Sequence, residues 1–407
     1  IEEVVRTTID GSEKTYTVQL PDKEKTKADI KKLKGQLFKS TDLLRTHMVN
    51  NATAAISNMI ALDKVGIDVV ARPVVLTGNG ETPREIRHLE NKSSEGCDVC
   101  IQHVLPNHLT GSTKFKKNIA YFPCDSVNMN HLPWFVNLQE MDEVWVQNES
   151  AGWMLHEEME VPVRVVPQGF NIEHYTKKYK DLNIPQVKDR FKFYYTGELS
   201  ERKNIDAIIR CFHAEFDISE PVSLILNVSK TGFSPDQVQQ ALDQKISQIK
   251  SSLRMYSDVS EYHKDIIISH DVSKEQTYAL HQYCDCFVSP SRGESWPVDS
   301  FEAMAFGSTP ICSNTGGASD FIDDEEELTG KLVSGSYATC QCSDAPFPDM
   351  FTGREYWFNP CDMQIRKAMR LYYKNKDKKR EKKIAGLERA KLFSHEKVGN
   401  IMKEWIV

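Results

Sequence analysis

Short β-branched runs alternate along this chain with longer stretches of helical periodicity. A first set of strand-like runs is LKGQLF (33–38), DVVARPVVL (68–76), DVCIQHV (98–104), NIAYFP (118–123), EVWVQN (143–148) and VRVVPQG (163–169). A charged, punctuated stretch follows, HYTKKYKDLNIPQVKDR (174–190). The alternation then restarts with FKFYYTG (191–197), VSLILNV (222–228), DIIISH (265–270), CFVSP (286–290), STPICS (308–313) and GKLVSG (330–335). Strands interleaved with helices predict parallel sheets covered on both faces, because a parallel crossover needs a helix to carry the chain back. Two such sets joined by a linker predict an α/β protein of two doubly wound, Rossmann-like domains around a cleft. Ligands then belong outside the carboxyl ends of the strands.

Several helices are legible in the same way. NATAAISNMIALDKVG (51–66) has apolar residues at helical spacing and stops at Gly66. NIDAIIRCFHAEF (204–216) offers Asn204 as a cap and an apolar stripe at Ile205, Ile208, Ile209 and Phe212. SFEAMAFG (300–307) stops at Gly307. KNKDKKREKK (374–383) reads as a solvated helix face. Residues 1–30 break the alternation and read as an N-terminal arm or hairpin. The expected division is therefore 1–30, a domain over 31–185, a second over 186–390, and a terminal helix over 391–407.

Composition narrows the class without naming a function. The chain has 407 residues, 40% hydrophobic and 27% charged, with 51 Lys and Arg against 58 Asp and Glu, a net charge of −7. A chain this long buries roughly three-quarters of its extended surface, so neither disulfides nor a metal is needed to hold a core. The acidic balance argues against gripping duplex nucleic acid as its main task. No apolar run approaches the ~18 residues that span a bilayer, and IEEVVRTTIDGSEKTYTVQL (1–20) shows no export signal, so a reducing cytoplasm is the default expectation. Ten cysteines are scattered, and Cys97-x-x-Cys100 has no second pair at zinc spacing, so buried or incidental thiols are expected.

Two segments carry candidate chemistry. In RGESWPVDSFEAMAFGSTPICSNTGGASDFI (292–322), Glu294 follows a strand and Glu302 lies eight residues later, on the helix that the loop feeds. Such a loop offers backbone N–H groups and a helix dipole to a diphosphate, and a carboxylate within the helix suits a vicinal diol. Two glutamates near a helix start are also favourable with no ligand at all. In FYYTGELSERKNIDAII (193–209) a strand ends at Gly197, and Arg202 and Lys203 precede a helix, an end where cations oppose the dipole. That unfavourable placement points to anion binding, with the two cations neutralising a leaving diphosphate in place of a magnesium ion.

These segments resemble the retaining, GT-B-fold glycosyltransferases of family 4, the "glycosyl transferases group 1" pattern. ESWPVDSFEAMAFGSTP (294–310) is similar to the family's Glu-x7-Glu segment, and DEVWVQN with VRVVPQGFN is similar to its N-terminal half. The resemblance implies a metal-independent transfer of a hexose from a nucleotide-diphosphate sugar to an acceptor hydroxyl, with no cofactor. It makes the first domain the acceptor side and the second the nucleotide-sugar side, with the terminal helix crossing back to the first. It implies that Glu302 binds the ribose, that Glu294 contacts the transferred sugar, and that Arg202 and Lys203 hold the diphosphate. Gly197 and the amides of Ser295 and Trp296 would face donor oxygens, and the segment His270–Val272 would border the base. His103 at a strand end would touch the sugar, and Asp125, Thr41 and Asp42 would lie on the acceptor side.

The sequence departs from the pattern in three places. Glu198 stands where the family commonly has Arg, Pro297 removes an N–H donor, and KSTDLLRTH (39–47) replaces a glycine-rich turn. Two further readings follow. One is a catalytically weak or inactive nucleotide-sugar-binding protein. The other is a glycosyltransferase acting on nucleic-acid bases, which requires Lys114, Lys116, Lys117 and the 374–383 run to line the cleft mouth. The partners expected are the donor and a carbohydrate, lipid-linked or other hydroxyl acceptor. No stable nucleic-acid complex is favoured, and only peripheral membrane contact is allowed.

Overall fold

The computed structural model describes residues 52–72, 83–180, 182, 184–269, 272–323, 325, 327–340 and 352–406, with the backbone of 2–7 and 13–18. Residues 1–47 form a unit of their own. Its described part is an antiparallel ladder between β1 (Glu2–Thr7) and β2 (Glu13–Val18), paired from Glu2 with Val18 to Thr7 with Glu13. The strand expected at 33–38 and the candidates Thr41 and Asp42 lie outside the described residues, as does His270.

The second unit, 48–407, holds two parallel sheets. Its first half runs α1 (52–64), α2 (Arg87–Glu90), β3 (Val99–Gln102), β4 (Lys117–Tyr121), α3 (Phe135–Gln139), β5 (Glu143–Val146), α4 (Glu149–Glu158), β6 (Val163–Val165) and α5 (Glu173–Thr176). The described strands pair in the order β3-β4-β5-β6, all parallel. No strand is described over 67–72, against the expectation for 68–76. There the Ala71 amide donates to the Leu89 carbonyl at 3.1 Å, and the Arg72 guanidinium is spent on the carbonyls of Ala71, Glu90 and Lys92.

The second half runs β7 (Phe191–Glu198), α6 (Ile205–Glu215), β8 (Val222–Ser229), α7 (Pro235–Leu253), β9 (Ile266–Ile268), α8 (Lys274–Tyr283), β10 (Cys286–Ser289), α9 (Val298–Phe306), β11 (Thr309–Ser313), α10 (Ala318–Phe321) and β12 (Lys331–Val333). A hairpin of β13 (Gly335–Thr339) and β14 (Tyr356–Pro360) follows, then α11 (Asp362–Lys374), α12 (Lys379–Ala390) and α13 (His395–Ile406). The sheet order is β12-β11-β10-β7-β8-β9, every pair parallel. β7 and β10 are neighbours although two strands separate them in the chain, so the order reverses between them. The loops that leave their carboxyl ends flank the topological switch point, where open α/β sheets hold ligands. Those loops carry Arg202, Lys203 and Glu294.

β7 reads as a continuous apolar run because it is covered on both faces, with Phe193, Tyr194 and Tyr195 buried against α6, β8 and β10. The two halves share an aromatic cluster in which Phe170 stacks on Phe301, ring centroids 4.0 Å apart, beside Tyr175, Trp296 and Phe306. α13 leaves the second half and buries Val398 and Met402 among Ala61, Ile119 and Trp145 of the first. The described cysteines form no disulfide, and no described helix is long and apolar enough to cross a membrane.

Candidate functional site

The site begins with a glycine in backbone that other residues adopt only with strain. At Gly197 φ is 152°, and a Cβ would run into the Tyr195 ring. Gly197 is the penultimate residue of β7, paired with Val228 in backbone that favours glycine, and Glu198 ends the strand before the loop to Arg202 and Lys203. Asn204 then adopts left-handed backbone (φ 55°) and makes no side-chain cap, against the expected capping role. Its side-chain amide instead donates to the Pro290 carbonyl at 3.1 Å, fastening the β7 loop to the β10 loop.

Around that fastening three of the expected charges, Arg202, Lys203 and Glu294, meet in one cluster. The Arg202 guanidinium lies 3.1 Å from Glu294 Oε2 and donates to the Gly293 carbonyl at 2.6 Å. Lys203 Nζ binds Glu294 Oε1, and the Ser291 hydroxyl donates to the same oxygen at 3.0 Å. Burial alone would raise the Glu294 pKa, but Arg202 and Lys203 overcome it and hold the carboxyl at about 2. Burial would likewise lower the Arg202 pKa, and Glu294 and Asp125 more than reverse it. Glu294 is ionised and Arg202 charged across the working range of pH.

The first half reaches the same cluster through the loop after β4. Asp125 Oδ1 accepts the Ser295 amide at 2.7 Å, and its Oδ2 lies 3.5 Å from Arg202. Gly293 passes so close that a Cβ there would meet the Asp125 carbonyl oxygen. The Ser295 hydroxyl donates to Gln147 Oε1 at 2.6 Å and accepts the Cys124 amide at 3.2 Å, and Asn148 Nδ2 donates to the Ser295 carbonyl at 2.8 Å. Ser295 is thus a hub between the sheets. Trp296 contributes its ring to the aromatic cluster, and Pro297 stands at the cap position of α9.

Glu302 sits apart, on α9, with a side chain 3% exposed. Lys274, one residue past the Ser273 cap of α8, donates to its Oε2 at 2.6 Å. Burial raises the Glu302 pKa, Lys274 lowers it and Asp299 raises it again, leaving it at about 7. His281, Asp299 and Glu302 bring one ligand atom each within 4.8 Å of one another, but the Lys274 ammonium supplies the positive charge there. Val272 leads into the α8 cap. His103 stacks on Tyr121 with ring centroids 4.5 Å apart, and burial lowers its pKa to about 3. The imidazole is neutral, and none of its described contacts is to the Glu294 cluster.

Lys116, Lys117 and Lys379 lie by the amino ends of strands. Lys117 opens β4, pairs with Glu143 and donates to the Trp405 carbonyl at 2.8 Å, and Lys116 pairs with Asp98. Lys379 binds Asp285, the residue before β10, at 3.1 Å. All three sit away from the carboxyl ends where Asp125 and Glu294 meet. Sequence reasoning missed Lys274, Gln147, Asn148 and the hairpin residues Tyr337, Tyr356 and Phe358. Only the aromatic alternation in REYWFNP (354–360) gave a local signal.

Comparison with known proteins places the fold. Residues 232–338 match the family model described as "Glycosyl transferases group 1". The sucrose-phosphate synthase of Thermosynechococcus elongatus superposes with a TM-score of 0.51 at 16% identity, over 71% of this chain and 67% of that one. HepE of Anabaena in complex with UDP-glucose gives 0.50 at 13%, over 71% and 72%. The E. coli structure described as trehalose-6-phosphate bound with UDP-2-fluoro glucose gives 0.53 at 10%, over 76% and 72%. Among curated proteins none is similar in sequence to this chain. The likeness establishes two parallel-sheet Rossmann-like domains in the GT-B arrangement.

Proposed function

We propose that the chain is a glycosyltransferase of the group 1 kind, moving a hexose from a nucleotide-diphosphate sugar to an acceptor hydroxyl with retention and without a metal. The observation that carries this reading is the convergence of Arg202, Lys203 and Glu294 at the switch point of the second sheet. The match over residues 232–338 and the UDP-sugar complexes among the similar structures support it.

In this reading Arg202 and Lys203 hold the diphosphate, at present balanced by Glu294 and Asp125. Glu294 accepts hydroxyls of the transferred sugar, and Glu302 accepts those of the ribose. The acceptor oxygen attacks the anomeric carbon on the face from which the diphosphate departs. The bond from that carbon to the phosphate oxygen breaks, and the acceptor's proton passes to the departing oxygen. The protein's work is to neutralise the growing charge and exclude water, which preorganised cations in a buried site do best. In this reading Asp125 binds hydroxyls of the acceptor or the sugar. His103 touches the transferred sugar, its neutral ring held against Tyr121.

A base-modifying enzyme is less well supported, because Lys116, Lys117 and Lys379 sit at the strand ends away from the cleft. Incubation with UDP-, GDP- and ADP-glucose, followed by anomer-resolved NMR of the products, tests the proposal. Cleavage of one donor with the α-configuration kept supports it, and no cleavage of any donor at high enzyme concentration favours a binding protein.

A further inference from the structure

Between β12 and α11 the chain inserts the β13–β14 hairpin, and nothing in the donor chemistry above uses it. The hairpin is anchored at both ends of one edge. The Val127 amide donates to the Tyr356 carbonyl at 3.1 Å and the Tyr356 amide to the Val127 carbonyl at 3.0 Å, which ties β14 to the first half. The Phe358 amide donates to the Arg292 carbonyl at 2.8 Å, two residues before Glu294. Farther out, buried Glu355 binds His131 at 3.1 Å, and Asn128 donates to the Arg354 carbonyl at 3.0 Å.

These anchors set the hairpin's aromatic rings beside the Glu294 cluster. One pocket is lined by Asp125, Arg292, Glu294, Tyr337, Tyr356 and Phe358. Tyr337 is 50% exposed and Tyr356 38% exposed. Phe358 braces Tyr337 edge-on at 5.6 Å. The Nε–H of Arg292 is buried and meets no acceptor among the described residues. Ring faces left bare at a pocket mouth suit an amphipathic, disc-shaped ligand. The carboxylates of Asp125 and Glu294 are acceptors that suit hydroxyl donors, and the Arg292 Nε–H suits a hydroxyl oxygen. Two carboxylates disfavour a polyanion, and three polar groups disfavour a purely apolar guest.

We propose that the β13–β14 hairpin is the acceptor platform, and that it takes a neutral pyranose stacked on Tyr337 and Tyr356, with a hydroxyl aimed at Glu294. This deepens the donor reading above and rests on it. Saturation-transfer NMR with methyl α- and β-glucoside, methyl α-mannoside and methyl β-galactoside tests it on wild type, Tyr337→Ala, Tyr356→Ala and Tyr337→Phe. Thermal shifts with UDP, GDP and ADP are run in parallel and also report that each variant is folded. At least one pyranoside is expected to bind wild type, to weaken roughly tenfold in Tyr337→Ala or Tyr356→Ala, and to stay within about twofold in Tyr337→Phe.

A nucleotide shift with no pyranoside binding, or with binding unchanged in both alanine variants, overturns the platform and leaves the donor reading standing. Tyrosine-dependent pyranoside binding with no nucleotide shift keeps the carbohydrate pocket and removes the donor reading. Displacement of the pyranoside by a short single-stranded DNA overturns the carbohydrate assignment.

Discussion

Asp125 accepts the backbone amide of Ser295 at 2.7 Å, across the boundary between the two parallel sheets. One carboxylate from the loop after β4 thereby fixes the loop that carries Glu294, and its other oxygen faces Arg202. The relation ties the loop after β4 to the loop that carries Glu294.

Asp125→Ala leaves the Ser295 amide, on a residue 4% exposed, without its acceptor, and leaves Arg202 with less countercharge. An unsatisfied buried donor costs about 1–3 kcal/mol. Urea denaturation should show a loss of that order for Asp125→Ala and a smaller one for Asp125→Asn, which keeps an oxygen. Equal stability in all three proteins would contradict the linkage.

Gly293→Ala tests the same contact from the other side. A Cβ at this position meets the Asp125 carbonyl, a backbone atom that cannot swing away. Overpacking of this kind costs typically about 1–3 kcal/mol, so the variant should melt lower than wild type and bind nucleotide more weakly. An unchanged melting curve would show that the loop relaxes freely.

Glu302 sets a pH dependence whose sign is fixed by its raised pKa of about 7. A carboxyl raised in the folded state contributes stability that is full below its ordinary range and is lost as pH climbs toward 7. The melting temperature should therefore fall between pH 5 and pH 8 through this group, and Glu302→Gln should flatten that limb. Ribose binding by the carboxylate form should strengthen over the same interval. Glu294 acts oppositely, its contribution disappearing only as pH falls toward 2. A wild-type slope surviving intact in Glu302→Gln would assign the titration elsewhere.

Chelation addresses the source of positive charge. With Arg202 and Lys203 at Glu294 and Lys274 at Glu302, donor cleavage should keep its rate in EDTA and gain nothing from added Mg²⁺ or Mn²⁺. Loss of most activity in EDTA, restored by one ion, would make His281, Asp299 and Glu302 the first residues to examine.

Much of this was legible in the sequence for physical reasons. β7 and β8 show as apolar runs because both faces are buried, and the spacing of Glu294 and Glu302 is local to one loop and helix. Lys274 was not legible, because its pairing with Glu302 spans 28 residues and depends on how α8 packs on α9. Asn204 misled because a helix-start Asn ordinarily caps, whereas here tertiary contact with Pro290 claims its amide. The placement of Tyr337 and Tyr356 beside the Glu294 cluster depends on anchors at Val127 and Arg292, residues that no local pattern places beside them.

Isothermal titration with UDP, GDP, ADP and their glucose conjugates, on wild type and on the Arg202→Ala, Lys203→Ala double variant, is the most direct test of the central assignment. The account predicts that wild type binds one nucleotide series, and that the double variant, folded by circular dichroism, loses at least about tenfold in affinity for the diphosphates. Undiminished binding in the double variant, or no binding by wild type to any of the six ligands, would contradict it.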